Sequence, residues 1–294
     1  MQGGKYLVER GIKEIENPDE LLEMGLISGI QSGLFDNAIE FFGKAIELEP
    51  NNYRAWFLLG VAYDYQGKNQ KGNECYRKAL EINPDCIEAL VNLGTNYSKE
   101  GNLNMAIECF LEALDIKPDY HEAMVNLAIC YLERGDIEEA IDACRKALLF
   151  DSNSVVAYNT IGRAYMQLND TDKAIEFLNK AIAIDSNYYE PYNFLGLIYV
   201  DKKNYEYAIK LFEKSIALNP FYHLAYNNLG VVYAMIGDLS EAIEQFKTAV
   251  ELAPDYFEAL HNLASAFEEA GDLEQAEFYE NKAYHLEEEE KEEE

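Results

Sequence analysis

Three short segments of the sequence carry residue types that bind phosphate, zinc or calcium in other proteins, and none completes its pattern. The segment GKNQKGN (67–73) begins like a glycine-rich phosphate loop, but it lacks the closing Lys-Ser or Lys-Thr, and no strand precedes it. His121-Glu122 has no second His four residues further on, which a helical zinc site requires. Asp170-Thr171-Asp172 lacks the Gly and the distal Glu of a calcium loop, and a capped helix start explains it. We therefore predict no catalytic residue, no metal, no cofactor and no enzyme activity.

The five cysteines also lack an arrangement that suits catalysis or a disulfide framework. Their number is odd, they contain no CxxC pair, and they stand in apolar helical contexts, which indicates reduced and buried thiols. Cys75 and Cys109 are 34 residues apart, but neighbouring parallel helices lie about 10 Å apart, beyond the roughly 7 Å limit for a disulfide. This usage predicts a reducing, cytoplasmic location.

Composition and charge restrict the class of partner. The chain has 294 residues, of which 49% are hydrophobic and 13% aromatic, which is too apolar for a disordered acidic chain. Its 24 basic and 54 acidic residues give a net charge of -30. Such a surface repels nucleic acid and anionic membranes and favours basic polypeptides. Residues 1–20 have no apolar signal-peptide core, and no apolar stretch approaches the length of a membrane span, so we predict no membrane insertion.

An internal repeat organises most of the chain. Residues 88–119 and 224–255 align without gaps at an offset of 136, which is four times 34. Residues 1–18 are predicted to be a capping helix with Val8, Ile12 and Ile15 on one face, and 291–294 an acidic tail whose acidic run begins at 287. The predicted blocks are 19–52, 53–86, 87–120, 121–154, 155–188, 189–222, 223–256 and 257–290.

The same residue types recur at the same places in these blocks. Small residues at the eighth and twentieth places let two helices approach, and bulky residues at the fourth, eleventh and twenty-fourth places fill the space beside them. The third block, for example, carries Leu90, Leu93, Gly94, Tyr97, Ala106, Phe110, Ala113 and Pro118. This register resembles the tetratricopeptide repeat, a 34-residue helix-turn-helix unit. The resemblance implies an all-α fold, a right-handed α-solenoid of about eight tandem repeats, each with a first helix (helix A) and a second helix (helix B).

The turn between the two helices has its own signal. A glycine suited to the left-handed conformation recurs at the fifteenth place, with Asn169 the next best choice and Lys203 a departure. The next residue can cap helix B. The glycines are Gly33, Gly67, Gly101, Gly135, Gly237 and Gly271, and the predicted caps are Asn102, Asp136, Asp170, Asn204, Asp238 and Asp272.

The resemblance also implies which surface binds a ligand. In the family, helix A lines a concave face that holds peptides, and the second, fifth, sixth, ninth, twelfth and thirteenth residues of each block point towards it. We call these places the inner face. They carry eleven acidic side chains against Arg54, Lys99 and Arg163, a net charge of -8. Individually, each of these charges is better explained as a solvated residue on an exposed helix face.

Asparagines form a series on the inner face. Asn92, Asn126, Asn228 and Asn262 occupy the sixth place, and this series partly resembles the repeat region of O-linked N-acetylglucosamine transferases, in which such amides hold a peptide backbone. Thr160 and Phe194 interrupt the series. Asn159 and Asn193 precede these two residues by one place. The alternative is that Asn-Leu-Gly is merely common in repeat sequences.

Apolar residues and one arginine complete the predicted peptide site. An apolar strip inside a groove marks a partner site when it is exposed, whereas in a tight solenoid the same residues pack on neighbouring helices. Of the three basic residues on the inner face, Arg163 is the one within the span of this strip. The strip consists of Ile129, Leu132, Met166, Phe194, Leu197, Val200, Val231 and Met235.

These features predict a non-enzymatic interaction scaffold. Its expected partner is a protein or peptide segment that is apolar and neutral to basic. The chain lacks the Lys and Asn pair by which the co-chaperone type of this repeat grips a C-terminal carboxylate, and Glu122, Glu190 and Glu258 stand where that Lys would be. Self-association into a structural homo-oligomer and a role as the targeting arm of a larger enzyme complex are the alternatives.

Overall fold

The computed structural model describes residues 15–293, and every regular element in this range is helical. A short π-helix, Ile27–Gln31, continues the first helix. The predicted capping helix lies largely outside the described residues. In chain order the α-helices are α1 (Pro18–Leu26), α2 (Phe35–Leu48), α3 (Tyr53–Tyr65), α4 (Asn69–Ile82), α5 (Ile87–Lys99), α6 (Leu103–Ile116), α7 (His121–Arg134), α8 (Ile137–Phe150), α9 (Val155–Gln167), α10 (Thr171–Ile184), α11 (Glu190–Asp201), α12 (Tyr205–Leu218), α13 (His223–Met235), α14 (Leu239–Leu252), α15 (Phe257–Glu269) and α16 (Leu273–Glu293).

The chain divides into two compact units, 1–152 and 153–294. Within each unit every helix A packs against its own helix B, and each helix B packs against helix A of the next repeat. Odd-numbered helices are the A helices and even-numbered helices are the B helices. Each unit is thus a stack of helix pairs, and the predicted all-α solenoid class is confirmed. None of the described helices is both long enough and apolar enough to cross a bilayer.

The eighth-place glycine sets how closely the two helices of a repeat approach. A Cβ atom on Gly196 would lie 2.5 Å from the Phe212 ring, and one on Gly230 would lie 2.7 Å from the Phe246 ring. Because real Cβ contacts are not this short, only glycine allows these aromatic rings to lie against helix A. Phe212 is fully buried as a result.

The turns between the helices have the predicted conformation. The six predicted glycines all have positive φ. Asn169 and Lys203 adopt the same left-handed conformation, with φ of 57° and 58°. The position in the repeat therefore imposes the turn even on a lysine, a residue that pays the steric cost of its Cβ there.

The predicted caps are only partly correct. Asp170, Asn204, Asp238 and Asp272 accept hydrogen bonds from backbone N–H groups in the first turn of helix B. Asn102 and Asp136 make no such bond. Asp136 instead pairs with the guanidinium of Arg134, which stands just before the turn.

The first repeat is one residue longer than the register of the others. A Cβ on Gly25 would lie 2.4 Å from Phe42, as one on Gly60 would lie 2.6 Å from Tyr76, so Gly25 takes the eighth place that the 34-residue count gave to Leu26. The π-helix that follows accommodates the additional residue, because its hydrogen bonds enclose one residue more than those of an α-helix. At the other end, α16 continues to Glu293 and does not stop where the count places the acidic tail.

Candidate functional site

The A helices carry the residues predicted to bind a peptide, and these residues differ in exposure. Asn92, Asn126, Asn228 and Asn262, at the sixth place, are half-buried. Asn159 and Asn193, at the fifth place, are only 1% and 2% exposed. These two buried side chains are therefore positioned to link helices, and direct contact with a peptide is open to the sixth-place residues.

In the second unit the amides join neighbouring A helices in a regular pattern. The Nδ2 of Asn228 donates a hydrogen bond to Oδ1 of Asn193, at 2.9 Å, which connects α13 to α11. The Nδ2 of Asn262 donates in the same way to Oδ1 of Asn227, also at 2.9 Å, and connects α15 to α13. We call this series of bonds, from a sixth-place amide to the fifth-place amide of the preceding repeat, the amide ladder.

The amino groups of the fifth-place amides bind acids of the following repeat. Asn159 donates to Oε2 of Glu190 at 2.8 Å, and Asn227 donates to Oε1 of Glu258 at 3.2 Å. Tyr256 donates its hydroxyl to the other oxygen of Glu258, at 2.9 Å. Burial, with Glu258 as hydrogen-bond partner and neighbouring charge, raises the pKa of Tyr256 above its ordinary value. Two inner-face acids are thus engaged by neutral donors of the protein itself.

The amide ladder is interrupted at Phe194. This residue occupies the sixth place of its repeat, where Asn228 and Asn262 donate in the next two repeats. As a consequence Oδ1 of Asn159 is buried without a hydrogen-bond partner, as is the hydroxyl of Thr160 beside it. The guanidinium of Arg163 lies over the Phe194 ring, 5.2 Å from its centre, a distance suited to a cation–π interaction.

The first unit uses a different polar network between its second and third repeats. The Asp64 carboxylate accepts the hydroxyl of Tyr76 at 2.6 Å and the Nδ2 of Asn96 at 2.9 Å. Asn96 also donates to Oδ1 of Asn73 at 2.9 Å. The Nδ2 of Asn92 is 3.3 Å from the Tyr76 hydroxyl. The repeat pattern did not indicate this cluster, because its five members stand at five different places of the repeat.

Asn126 differs from the other predicted amides. Among the described residues its side chain makes no hydrogen bond within the chain, and it is half-buried on α7. Both its donor and its acceptor groups are therefore available to a ligand, whereas Asn228 and Asn262 each use one N–H within the chain.

The predicted apolar strip is only partly open. Leu132 is buried and belongs to the helix packing, so its assignment to an exposed strip is wrong. Leu197 and Val200 pack partly against one buried cluster and Val231 against another. Ile129 and Phe194 are half-buried, and Met235 is exposed.

The cysteines have the environment of structural thiols. All five are free and buried. Burial raises the pKa of the Cys144 thiol to about 12, and burial with nearby acids does the same for Cys75. Such thiols are poor nucleophiles because little thiolate forms near neutral pH. Within residues 15–293, no three His, Cys, Asp or Glu side chains are grouped so as to hold a metal ion.

Stacked helix pairs with polar and apolar residues along their A helices define the class of helical-repeat interaction scaffolds. Models of the tetratricopeptide repeat match residues 21–52, 53–86, 85–149, 119–187, 187–255 and 223–288. The chain belongs to this family, whose members are in general protein-binding scaffolds. The sequence matches none of the curated proteins with which it was compared.

Solved structures share the fold. A tetratricopeptide repeat protein from Parabacteroides merdae is similar over 85% of this chain and 98% of its own, with a TM-score of 0.76 and 20% identity. The APC/C hetero-tetramer Cut9–Hcn1 matches 86% of this chain and 50% of its own, with a TM-score of 0.66 and 18% identity. A thermophilic repeat protein from Thermus thermophilus matches 62% of this chain and 99% of its own, with a TM-score of 0.57 and 22% identity. At these identities the similarity concerns the fold alone.

Proposed function

We propose that the protein is a non-enzymatic scaffold that binds a polypeptide segment of a partner protein on the inner face. The observation that carries the proposal is an open cavity of about 260 Å³ between α13 and α15. Its lining combines the apolar side chains of Val231 and Met235 with the amide of Asn262 and the carboxylate of Glu269. Apolar walls with a few polar groups suit a peptide, since the walls accept its side chains and the amide accepts or donates to its backbone.

The charge of the inner face supports a neutral or basic segment as the ligand. Asp201, Glu268 and Glu269 are exposed on the A helices of the second unit, whereas Glu190 and Glu258 are held by buried asparagines. Exposed acids accelerate the association of a basic segment without necessarily increasing its affinity. The five buried thiols fit a reducing compartment, and we propose the cytoplasm as the location.

The proposal is tested by capturing the partner and mapping where it binds. The tagged full-length protein is used to isolate partners from its own cells, and peptides that tile the captured protein are titrated against it by calorimetry. Val231→Glu places a charge in the cavity wall and should weaken the bound peptide by about tenfold or more. Ala217→Glu adds the same charge on an exposed helix B position and should leave affinity unchanged.

The salt dependence gives a second criterion. Raising salt should slow association of the peptide more than it speeds dissociation, because screening weakens the attraction between separated charges. An acidic ligand, or a ligand that is lost in Ala217→Glu and retained in Val231→Glu, would overturn the proposal. Self-assembly or targeting of a larger complex through the outer B helices would then be the better account.

A further inference from the structure

A second open pocket lies at the start of the first unit, on the inner face of the second repeat. Its volume is about 200 Å³. Gly25 and Gly29 form one wall, Phe35 of α2 another, and Leu58, Val61 and Tyr65 of α3 the third. The lining is almost wholly apolar. The sequence pattern placed the apolar strip from the fourth repeat onwards and did not indicate this pocket.

The pocket exists because a side chain is missing from the first repeat. In the second repeat a Cβ on Gly72, at the twentieth place, would lie 2.2 Å from Asp64 at the twelfth place. In the first repeat a Cβ on Gly29 would lie 3.3 Å from Cβ of Ala38, which is also at the twentieth place. Gly29 thus takes the twelfth place of its repeat, where the fourth, fifth and sixth repeats carry the larger side chains of Leu132, Met166 and Val200.

The size and polarity of the pocket define what it can hold. An apolar cavity of about 150 Å³ stays dry and binds benzene, so a space of about 200 Å³ accommodates the side chain of a phenylalanine or leucine. The rim is also apolar. Tyr65 is 66% exposed and stacks on Phe35 with ring centres 4.7 Å apart. Met24 and Ile27, which adjoin the lining residues Gly25 and Leu26 in the chain, are each 40% exposed. An exposed apolar patch of this kind around a pocket marks a site for a partner.

Charge around the pocket selects the kind of partner. Glu20 and Glu23 are exposed on α1, and Asp36 is exposed beside Phe35. Gln66 donates a hydrogen bond to Asp36 at 2.8 Å, which places that carboxylate near Tyr65 at the rim, and Gln66 accepts one from Lys68, also at 2.8 Å. Three acids against one lysine leave this region negatively charged. A second copy of the chain, with a net charge of -30, would be repelled from this region, whereas basic residues would be attracted.

We propose that this pocket binds one phenylalanine- or leucine-sized side chain of a partner segment in which basic residues flank that side chain. The inference rests on the proposed function, because it assigns an anchor site to the same kind of ligand. It differs from that proposal in its location, since the pocket lies in the first unit and the cavity between α13 and α15 lies in the second.

The test uses short synthetic peptides and two matched pocket-filling variants of the full chain. Peptides of equal length carry Phe, Leu or Ala at the centre and either Lys or Glu on both sides. Gly29→Leu fills the first pocket, and Ala234→Leu makes the equivalent change at the twelfth place of the seventh repeat, in the wall of the second cavity. We expect the Lys-flanked Phe peptide to bind the wild type, to lose about tenfold or more in affinity in Gly29→Leu, and to keep its affinity in Ala217→Leu, which adds the same side chain at an exposed position of α12. The peptides with a central Ala and the peptides with flanking Glu should bind the wild type about as weakly as the Lys-flanked Phe peptide binds Gly29→Leu.

A second filling variant keeps the test decisive if Gly29→Leu fails to fold. Val61→Phe introduces a ring from the opposite wall, and circular dichroism establishes that each variant is helical. Unchanged binding in Gly29→Leu or in Val61→Phe, or binding lost only in Ala234→Leu, would overturn the inference. The last result would still support the proposed function. The absence of any binding of the Lys-flanked Phe peptide to the wild type would overturn this inference alone, since the captured partner tests the proposed function separately.

Two further measurements detect other occupants of the pocket. If residues 1–14 filled the pocket, the double variant Val8→Glu and Ile12→Glu would bind the Phe peptide more tightly than the wild type. If a second copy filled it, sedimentation would reveal a wild-type dimer that Gly29→Leu dissociates. Either result contradicts a partner protein as the occupant.

Discussion

Asp64 shows how a half-buried acid can have both of its oxygens satisfied. Its two oxygens accept hydrogen bonds from Tyr76 and Asn96, and Gly72 leaves room for it, since a Cβ there would lie 2.2 Å from the carboxylate. Burial nevertheless raises the pKa of Asp64 above its ordinary value, and the two hydrogen bonds and Lys99 lower it only partly. The protonated form of Asp64 is therefore favoured by folding.

This pKa predicts a pH-dependent difference between the wild type and Asp64→Asn. Because the folded-state pKa is raised, Asp64 contributes fully to the free energy of unfolding of the wild type below about pH 4, where it is protonated. This contribution is lost as the pH rises through the folded-state pKa. Asparagine does not titrate and can still accept from Asn96 and donate to Tyr76. The free energy of unfolding of Asp64→Asn relative to the wild type should therefore increase from about pH 3 to neutrality. Urea denaturation at several pH values measures it, and a difference that stays flat or falls would contradict the argument.

The asparagines make a second prediction at the residue scale. Asn228→Ala removes the donor to Asn193 and leaves a buried oxygen unpaired, which should cost about 1–3 kcal/mol of the free energy of unfolding. Asn126→Ala is the matched control, because it stands at the same place of its repeat without a side-chain hydrogen bond, and should change stability by less than about 0.5 kcal/mol. Urea denaturation followed by circular dichroism compares the two variants. Equal losses would mean that the bond to Asn193 contributes nothing to stability.

The sequence could place these amides on one surface but could not say what they bind. That prediction follows from a repeat of 34 residues, which brings the same place of each repeat to the same side. Whether an amide faces a ligand or its neighbour depends on distances between helices that no sequence pattern contains. One signal was available, since Asn159, Asn193 and Asn227 recur at the fifth place of three successive repeats.

At the scale of the helices, Lys203 is the clearest departure from the repeat. Its φ of 58° is a conformation in which a side chain with a Cβ costs about 1–2 kcal/mol. Substitution by glycine removes this strain, but part of the gain in stability is lost because glycine has more conformational entropy in the unfolded chain. Lys203→Gly should therefore raise the free energy of unfolding by up to about 1 kcal/mol. Asn169→Gly should raise it less, because asparagine tolerates this conformation better. Thermal melts of both variants test the order, which is wrong if Asn169→Gly stabilises more.

The helices also show where prediction from sequence stops. Turns and close approaches were predictable because they depend on local residue types, such as Gly237 in the turn and Gly230 against Phe246. The first repeat was misplaced by one residue because an ungapped count has no means of representing a π-helix. The cap at Asp136 was misassigned because Arg134, two residues earlier, competes for the carboxylate. Both errors come from local features of a single repeat, which the pattern common to all repeats does not contain.

At the scale of the whole molecule, we expect each repeat to be stabilised mainly by the repeats next to it in the chain, and not by the chain as a single cooperative unit. Each helix within a unit packs mainly on the helices next to it in the chain. In such an array a local defect weakens the repeat that carries it and its neighbours, and its effect decays with distance. Local opening, which hydrogen exchange detects, should therefore differ between the two units when only one is altered.

Two matched glycine substitutions test this distribution. Gly196→Ala places a Cβ 2.5 Å from Phe212, and Gly94→Ala places one 3.0 Å from Phe110, so each overpacks one repeat, at a cost of about 1–3 kcal/mol. Gly196→Ala should speed amide exchange by about tenfold or more in α11 to α13 and leave α3 to α6 unchanged, because about 1.4 kcal/mol corresponds to a factor of ten in opening. Gly94→Ala should have the reverse effect, smaller because its contact is longer. Mass spectrometry of peptic fragments reads both units at once, and equal acceleration of the two units in either variant would mean that the chain opens as one cooperative body instead of repeat by repeat.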